Sequence, residues 1–176
     1  IIKSLREGLV ANKFNSIFGI VNGTSNYILS AMSENNCSFN DALREAKIKG
    51  FAEKDPTLDI EGIDSAHKLI LLAYLCFGKL VNMNEVFVEG ISSVSLSDIN
   101  YAKELGFSIK LLAIAKREVD SLEVRVHPTL VRDSHMLASV DGVFNAIYVS
   151  SDLAGDLLFY GPGAGQLSAA SAVVSD

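Results

Sequence analysis

The 176 residues divide into two stretches with different hydrophobic periods, and that division most limits the folds open to the chain. After one opening strand, the segments read up to about residue 105 are helices joined by loops; beyond it, β-branched residues alternate or cluster in short runs. Phe14 to Val21 reads as a buried strand that runs into a turn at Asn22-Gly23. Thr24 or Ser25 is placed to cap a helix over about Asn26 to Glu34. Ser38 with Asp41 resembles a capping box, with Asp for the usual Glu, and opens a helix closed by Gly50. A loop over Phe51 to Leu58 leads to Asp59, read as the cap of the longest helix, about Ile60 to Phe77, closed by Gly78. Ser97 to Leu105 reads as a further helix stopped by Gly106.

Leu122 to Val126, Val143 to Val149 and Leu157 to Tyr160 carry strand patterns. Phe107 to Ala115 fits strand or helix by pattern, and the hairpin-like Lys116 to Ser121 favours strand. The expected fold class is α+β, with helices packed on one mostly antiparallel or mixed β-sheet. An apolar fraction of 49% supports a core of that kind. A net charge of -6 without a Lys/Arg cluster argues against nucleic acid or an anionic membrane surface as partner. The longest apolar run, Leu69 to Phe77, is about half of what a bilayer requires. With only Cys37 and Cys76 and no secretory pattern, the expected setting is cytoplasmic. The chain opens Ile1-Ile2 without methionine and stops at Asp176 just after the apolar stretch Ala169 to Val174, so it is read as one domain of a longer protein.

Chemistry concentrates in Phe51 to Lys68, where Glu53, Asp55, Asp59, Glu61 and Asp64 fall within twelve residues relieved only by Lys54. A solvated loop and an acid-rich helix start account for some of these charges. Asp64 and Lys68, however, are i,i+4 and share a helix face at the point where the helix becomes apolar all round. Desolvation there lowers an amine's pKa toward a range useful for proton transfer, while neighbouring carboxylates raise it. On spacing alone, Lys68 is either a general base or half of an ordinary surface ion pair.

Asn22-Gly23-Thr24-Ser25 stands at a strand-to-helix junction, where free N–H groups suit an anion such as a substrate carboxylate. Gly161-Pro162-Gly163-Ala164-Gly165 precedes a small-residue helix and suits close approach of a phosphate, though the pattern alone is weak. His67 is expected to face packing. His127 and His135 have no partner at ligand spacing, so no metal site is expected. Cys76 reads as a buried small hydrophobe, and Cys37 lacks a nearby histidine to activate it.

Together these stretches resemble the homoserine dehydrogenase family. The resemblance covers nearly the whole chain: I-I-K-S-L-R-E-G-L, G-I-V-N-G-T-S-N-Y-I-L, G-F-A-E-K-D-P-T-L-D-I-E-G-I-D-S-A-H-K-L, E-L-G-F-S-I-K-L-L-A, and the closing G-P-G-A-G with A-S-A-V-V-S-D. It implies that residues 1–176 form the substrate-binding and dimerisation domain, with the Rossmann domain outside them and Asp176 inside a helix returning to it. The implied partners are L-homoserine and L-aspartate 4-semialdehyde, the cofactor is NADP or NAD, and the assembly is a homodimer or tetramer.

By position, Lys68 matches the family's acid/base lysine, and Glu53 and Asp64 match residues that hold the substrate through its ammonium. Asp59 matches a supporting acid, Gly23 and Thr24 lie in the motif beside the substrate, and Gly165 matches a glycine that touches the cofactor. Phe51 stands where the family commonly has tyrosine, and Ser168-Ala169 stands where it often has Pro-Thr. The family's alkali-metal loop and a second functional lysine fall upstream of Ile1. The rival from another class is a non-catalytic dimerisation or amino-acid-sensing module of the same fold. The joint presence of Glu53, Asp64 and Lys68 counts against it.

Overall fold

The computed structural model describes residues 1–175, so the expectation for Asp176 lies outside the described residues. In chain order the elements are β1 (Phe14–Ile20), α1 (Gly23–Asn35), α2 (Phe39–Ile48), α3 (Thr57–Ile60), α4 (Ile63–Phe77), β2 (Phe87–Val88), α5 (Leu96–Glu104), β3 (Phe107–Arg117), β4 (Leu122–Arg132), β5 (Phe144–Ser151), β6 (Asp156–Pro162) and α6 (Gln166–Ser175). The strands form one six-stranded sheet in the order β2-β4-β3-β1-β5-β6. β2 pairs with β4 in parallel, and the other neighbours are antiparallel. The fold is thus α+β with a mixed sheet.

β1 lies between β3 and β5, so both its edges are paired and Ile17 is fully buried. One face of the sheet carries the main core. Ile28, Leu29 and Met32 of α1, Leu69 of α4 and Ile99 of α5 pack toward Ile17, Leu111, Ala113, Val126 and Val149. Small residues at Ala113 and Ala115 let the helices approach the sheet closely. On the other face, Ile20, Leu112, Ile114 and Ala146 are covered by a short turn, Met136–Ser139, through Leu137.

β4 runs six residues past the expected strand end, through Pro128 to Arg132. Proline is tolerated there because β2 pairs with β4 only at Arg125 and Val126, leaving an open edge at Pro128 that needs no N–H. His67, expected to face packing, is exposed.

Two expected helix starts differ. α1 begins at Gly23 and is capped by Asn22, whose side chain accepts from the Ser25 N–H, rather than by Thr24 or Ser25. The longest helix begins at Ile63, and Asp59 lies within the separate turn α3 instead of capping it. The cause is long-range. The Ile60 carbonyl accepts from the Ile91 N–H at 2.7 Å, and Gly62 follows with φ +77. A helix continuing through this point would need that carbonyl for its own ladder.

The start of α1 is fixed from the β5 side. Asn26, fully buried, donates to the carbonyls of Val140, Gly142 and Phe144. Lys110, also buried, pairs with Asp141 at 2.7 Å and donates to Val140 O at the same distance. Gly23 fits against Val143, whose carbonyl oxygen would stand 2.9 Å from any added Cβ.

Candidate active site

The end of β1, the start of α1, the turn α3 and the first turns of α4 meet at one place. Val21 leaves β1 with its carbonyl accepting from Lys68 Nζ at 2.9 Å. Lys68 Nζ also donates to Asp64 Oδ2 at 2.6 Å, the i,i+4 pair expected from spacing. Asn22 Nδ2 donates to Asp64 Oδ2 at 3.0 Å and to Asp59 Oδ1 at 2.6 Å. An ammonium carries three donors, so these contacts leave Lys68 one N–H for a ligand. Its side chain is 44% exposed, so the group is accessible rather than sealed in the core.

Lys68 and Val21 line a cleft of about 720 Å³ between α4 and the β5–β6 edge of the sheet. Leu72 and Ile147 form apolar walls, and Gly161 and Gly163 lie at the same cleft. A Cβ on Gly163 would overlap the Asn145 side chain in its present rotamer. Gly165 stands beyond this lining, at the start of α6 with φ +124.

The five clustered carboxylates take different tasks. Asp59 and Asp64 converge on Asn22. Asp55 accepts from the Thr57 hydroxyl at 2.6 Å, and the hydrogen bonds from Thr57 hold its carboxyl below the usual range. Glu61 accepts from Ser92 at 2.8 Å. Glu53 is exposed and makes no hydrogen bond or ion pair among the described residues. Its loop is tied down on either side: the Thr24 hydroxyl donates to Phe51 O at 2.7 Å, and Lys47 donates to Lys54 O at 3.1 Å. The Ser25 hydroxyl donates to Asp59 O at 2.7 Å. Both hydroxyls therefore fasten the acidic segment to α1. Phe51, without the hydroxyl of a tyrosine, lies against the Tyr27 ring with centroids 4.9 Å apart.

Asn22 joins these groups; the sequence places it at a turn and strand-to-helix junction and gives its side chain no role. Its signal was its position directly before a helix, where Asn is a favoured cap.

Thiol chemistry has no support here. Half-buried Cys76 has its pKa pushed up to about 12 by burial. Cys37 is raised by burial and by Asp41 and Glu45. A raised pKa lowers the thiolate fraction at a given pH, and the thiolate is the reactive form. Native protein at pH 8 is expected to leave Cys76 unmodified by a disulfide-exchange reagent, with both thiols reacting after denaturation. Rapid native labelling of Cys76, read by peptide mass, would contradict this. Among the described residues no cluster of three or more His, Cys, Asp or Glu is arranged to hold a metal.

The homoserine dehydrogenase family model matches residues 1–176. The chain belongs to the homoserine dehydrogenase family. It is 53% identical over its full length to the homoserine dehydrogenase of Neisseria gonorrhoeae, covering 40% of that protein. To the Helicobacter pylori homoserine dehydrogenase it is 52% identical over its full length, covering 42%. Among solved structures, a homoserine dehydrogenase from Thiobacillus denitrificans superposes with a TM-score of 0.97 at 51% identity, over 99% of this chain and 41% of that one. A hyperthermophilic archaeal homoserine dehydrogenase in complex with NADPH gives 0.78 at 30% identity, over 94% of this chain and 46% of that one. The chain thus spans about two fifths of the length of the curated homoserine dehydrogenases it matches. The Lys68–Asp64–Asn22–Asp59 network lies in the part shared with them.

Proposed function

We propose that these residues are the substrate-binding and dimerisation domain of an NAD(P)-dependent homoserine dehydrogenase whose Rossmann domain lies outside them. The enzyme interconverts L-homoserine and L-aspartate 4-semialdehyde in the biosynthesis of threonine, methionine and isoleucine. The observation that carries this reading is Lys68 Nζ, fixed at 2.6 Å by Asp64 at the wall of a cleft that also reaches the Gly161–Gly163 segment.

In the oxidative direction, Lys68 as the neutral amine takes the proton of the homoserine hydroxyl while the carbinol carbon gives up hydride. In the reductive direction, Lys68 as the ammonium returns that proton to the forming alkoxide. The nicotinamide, when bound, supplies the hydride acceptor or donor. Asp64 and Val21 O hold the amine in place, and Glu53, without a partner on its tethered loop, receives the substrate ammonium. Gly23 and Thr24 border that loop, and Asp59 supports Asp64 through Asn22.

The cleft fits a nicotinamide. Its walls are mostly apolar, and Asn145 Oδ1, at the cleft, is buried without a hydrogen-bond partner, an acceptor suited to a carboxamide N–H. Gly161, Gly163 and Gly165 would lie along the cofactor. The NADPH complex of the archaeal relative supports the same cofactor class.

A homodimer or tetramer belongs to this reading, supported by the stacked and partly exposed Phe144 and Tyr160 on the less covered sheet face. So does a cytoplasmic setting; among the described residues no helix is long and apolar enough to cross a membrane.

The test is direct. The full-length protein, given L-homoserine and either nucleotide, is expected to form reduced nicotinamide and aldehyde in equal amounts, measured by absorbance and aldehyde trapping. Residues 1–176 alone are expected to form neither. Failure of the full-length protein with both nucleotides, or robust turnover by the isolated chain, would overturn the reading.

A further inference from the structure

Asn22 is 6% exposed and uses both ends of its carboxamide. Oδ1 accepts from the Ser25 N–H at 2.8 Å and caps α1. Nδ2 donates at 2.6 Å to Asp59 and at 3.0 Å to Asp64. An amide nitrogen carries two hydrogens, so these bonds use its full donor capacity. A cap requires only the acceptor, which Asp or Ser supplies as well as Asn does. The donor half is what demands Asn, because two carboxylates of the same charge converge on it. Asp64 Oδ2 is shared between Asn22 Nδ2 and Lys68 Nζ, so the amide and the amine hold one oxygen from two sides.

The residues Asn22 links are far apart in the chain and rest on different elements. Asp59 lies in α3 and Asp64 in α4, with the break at Gly62 between them, so no continuous helix sets their relative placement. Asn22 is held independently, at the start of an α1 anchored by Asn26 to the loop before β5. It therefore gives the two acids a common fixed reference.

We infer that Asn22 is a positioning residue for the reaction: its carboxamide sets Asp64, and through Asp64 the amine of Lys68, against the substrate. This rests on the reading of Lys68 as the acid/base.

The experiment compares Asn22→Asp with wild type in the full-length enzyme. Asp retains the cap but replaces the donor with a third carboxylate. The expected result is a kcat lower by on the order of 100-fold, the effect of displacing a reacting group by about 1 Å. Nucleotide KM is expected to stay near wild type, while the thermal midpoint of Asn22→Asp falls because its carboxylate stands buried beside those of Asp59 and Asp64. Asn22→Ser keeps a cap acceptor, adds no charge and lacks the two N–H donors; it is expected to show the same kcat loss, and it carries the test if Asn22→Asp does not fold. Wild-type kcat in either folded variant, or a loss confined to stability, assigns Asn22 to capping alone and overturns the inference. Lys68→Ala is run beside them. If it remains active, the underlying reading fails; if it is inactive while Asn22→Asp is active, only the positioning role fails.

Discussion

Replacing Lys68 with alanine in the full-length enzyme is expected to lower kcat by about 10²- to 10⁴-fold, the range that a positioned acid or base supplies. The nucleotide KM should change little, because in the proposed reaction Lys68 acts on the substrate hydroxyl and not on the nucleotide. Lys68→Arg sharpens the result. Arginine keeps the positive charge beside Asp64, but its guanidinium does not deprotonate in proteins. If Lys68 only completes an ion pair, arginine should preserve much of the activity. If Lys68 moves a proton, arginine should be nearly as damaging as alanine. Steady-state kinetics with L-homoserine separates the two, and near-normal turnover by Lys68→Ala would remove the residue from the mechanism. Lys68 and Asp64 are 44% and 32% exposed, so their pairing contributes little stability by itself and Lys68→Ala should fold normally.

The second large effect is expected at Gly90, which touches no predicted site residue directly. A Cβ at this position would stand 2.3 Å from Ile60 O and 2.5 Å from Glu61 Cα. Both neighbours are backbone, so no side chain can swing aside to make room. The contact falls where the Ile91 N–H takes the Ile60 carbonyl and separates α3 from α4. Gly90→Ala is expected to destabilise the protein by about 2–3 kcal/mol, as forced overpacking does. It should also lower kcat in the fraction that remains folded, because Asp59 and Asp64 lie on the two sides of the displaced segment. Denaturant unfolding and kinetics on the same preparation measure both effects. An unchanged unfolding midpoint would show that the segment relaxes freely and that this approach of backbones is not required.

Legibility followed the range of the interactions. The α+β class, the end of the longest helix at Gly78 and the Ser38–Asp41 cap depend on neighbours within a few residues, and the structure has them where the spacing placed them. β4 was read too short because the end of a strand at a proline depends on which edge its partner covers. The α3–α4 break was missed because a helical hydrophobic period runs through it. What interrupts the helix there is an N–H from residue 91.

The sequence by itself determined the chemical inventory and the short-range pair: a helix that begins acidic, turns apolar and carries Asp64 and Lys68 one turn apart. Side chains at i and i+4 meet wherever a helix forms, so their contact required no knowledge of the rest of the chain. Only the tertiary structure decided which of the five carboxylates join that pair. Asp59 reaches it through Asn22, 37 positions away, and Lys68 reaches the end of β1 across 47. Contacts of that length arise from sheet order and helix packing, which bring together groups whose separation along the chain carries no distance information.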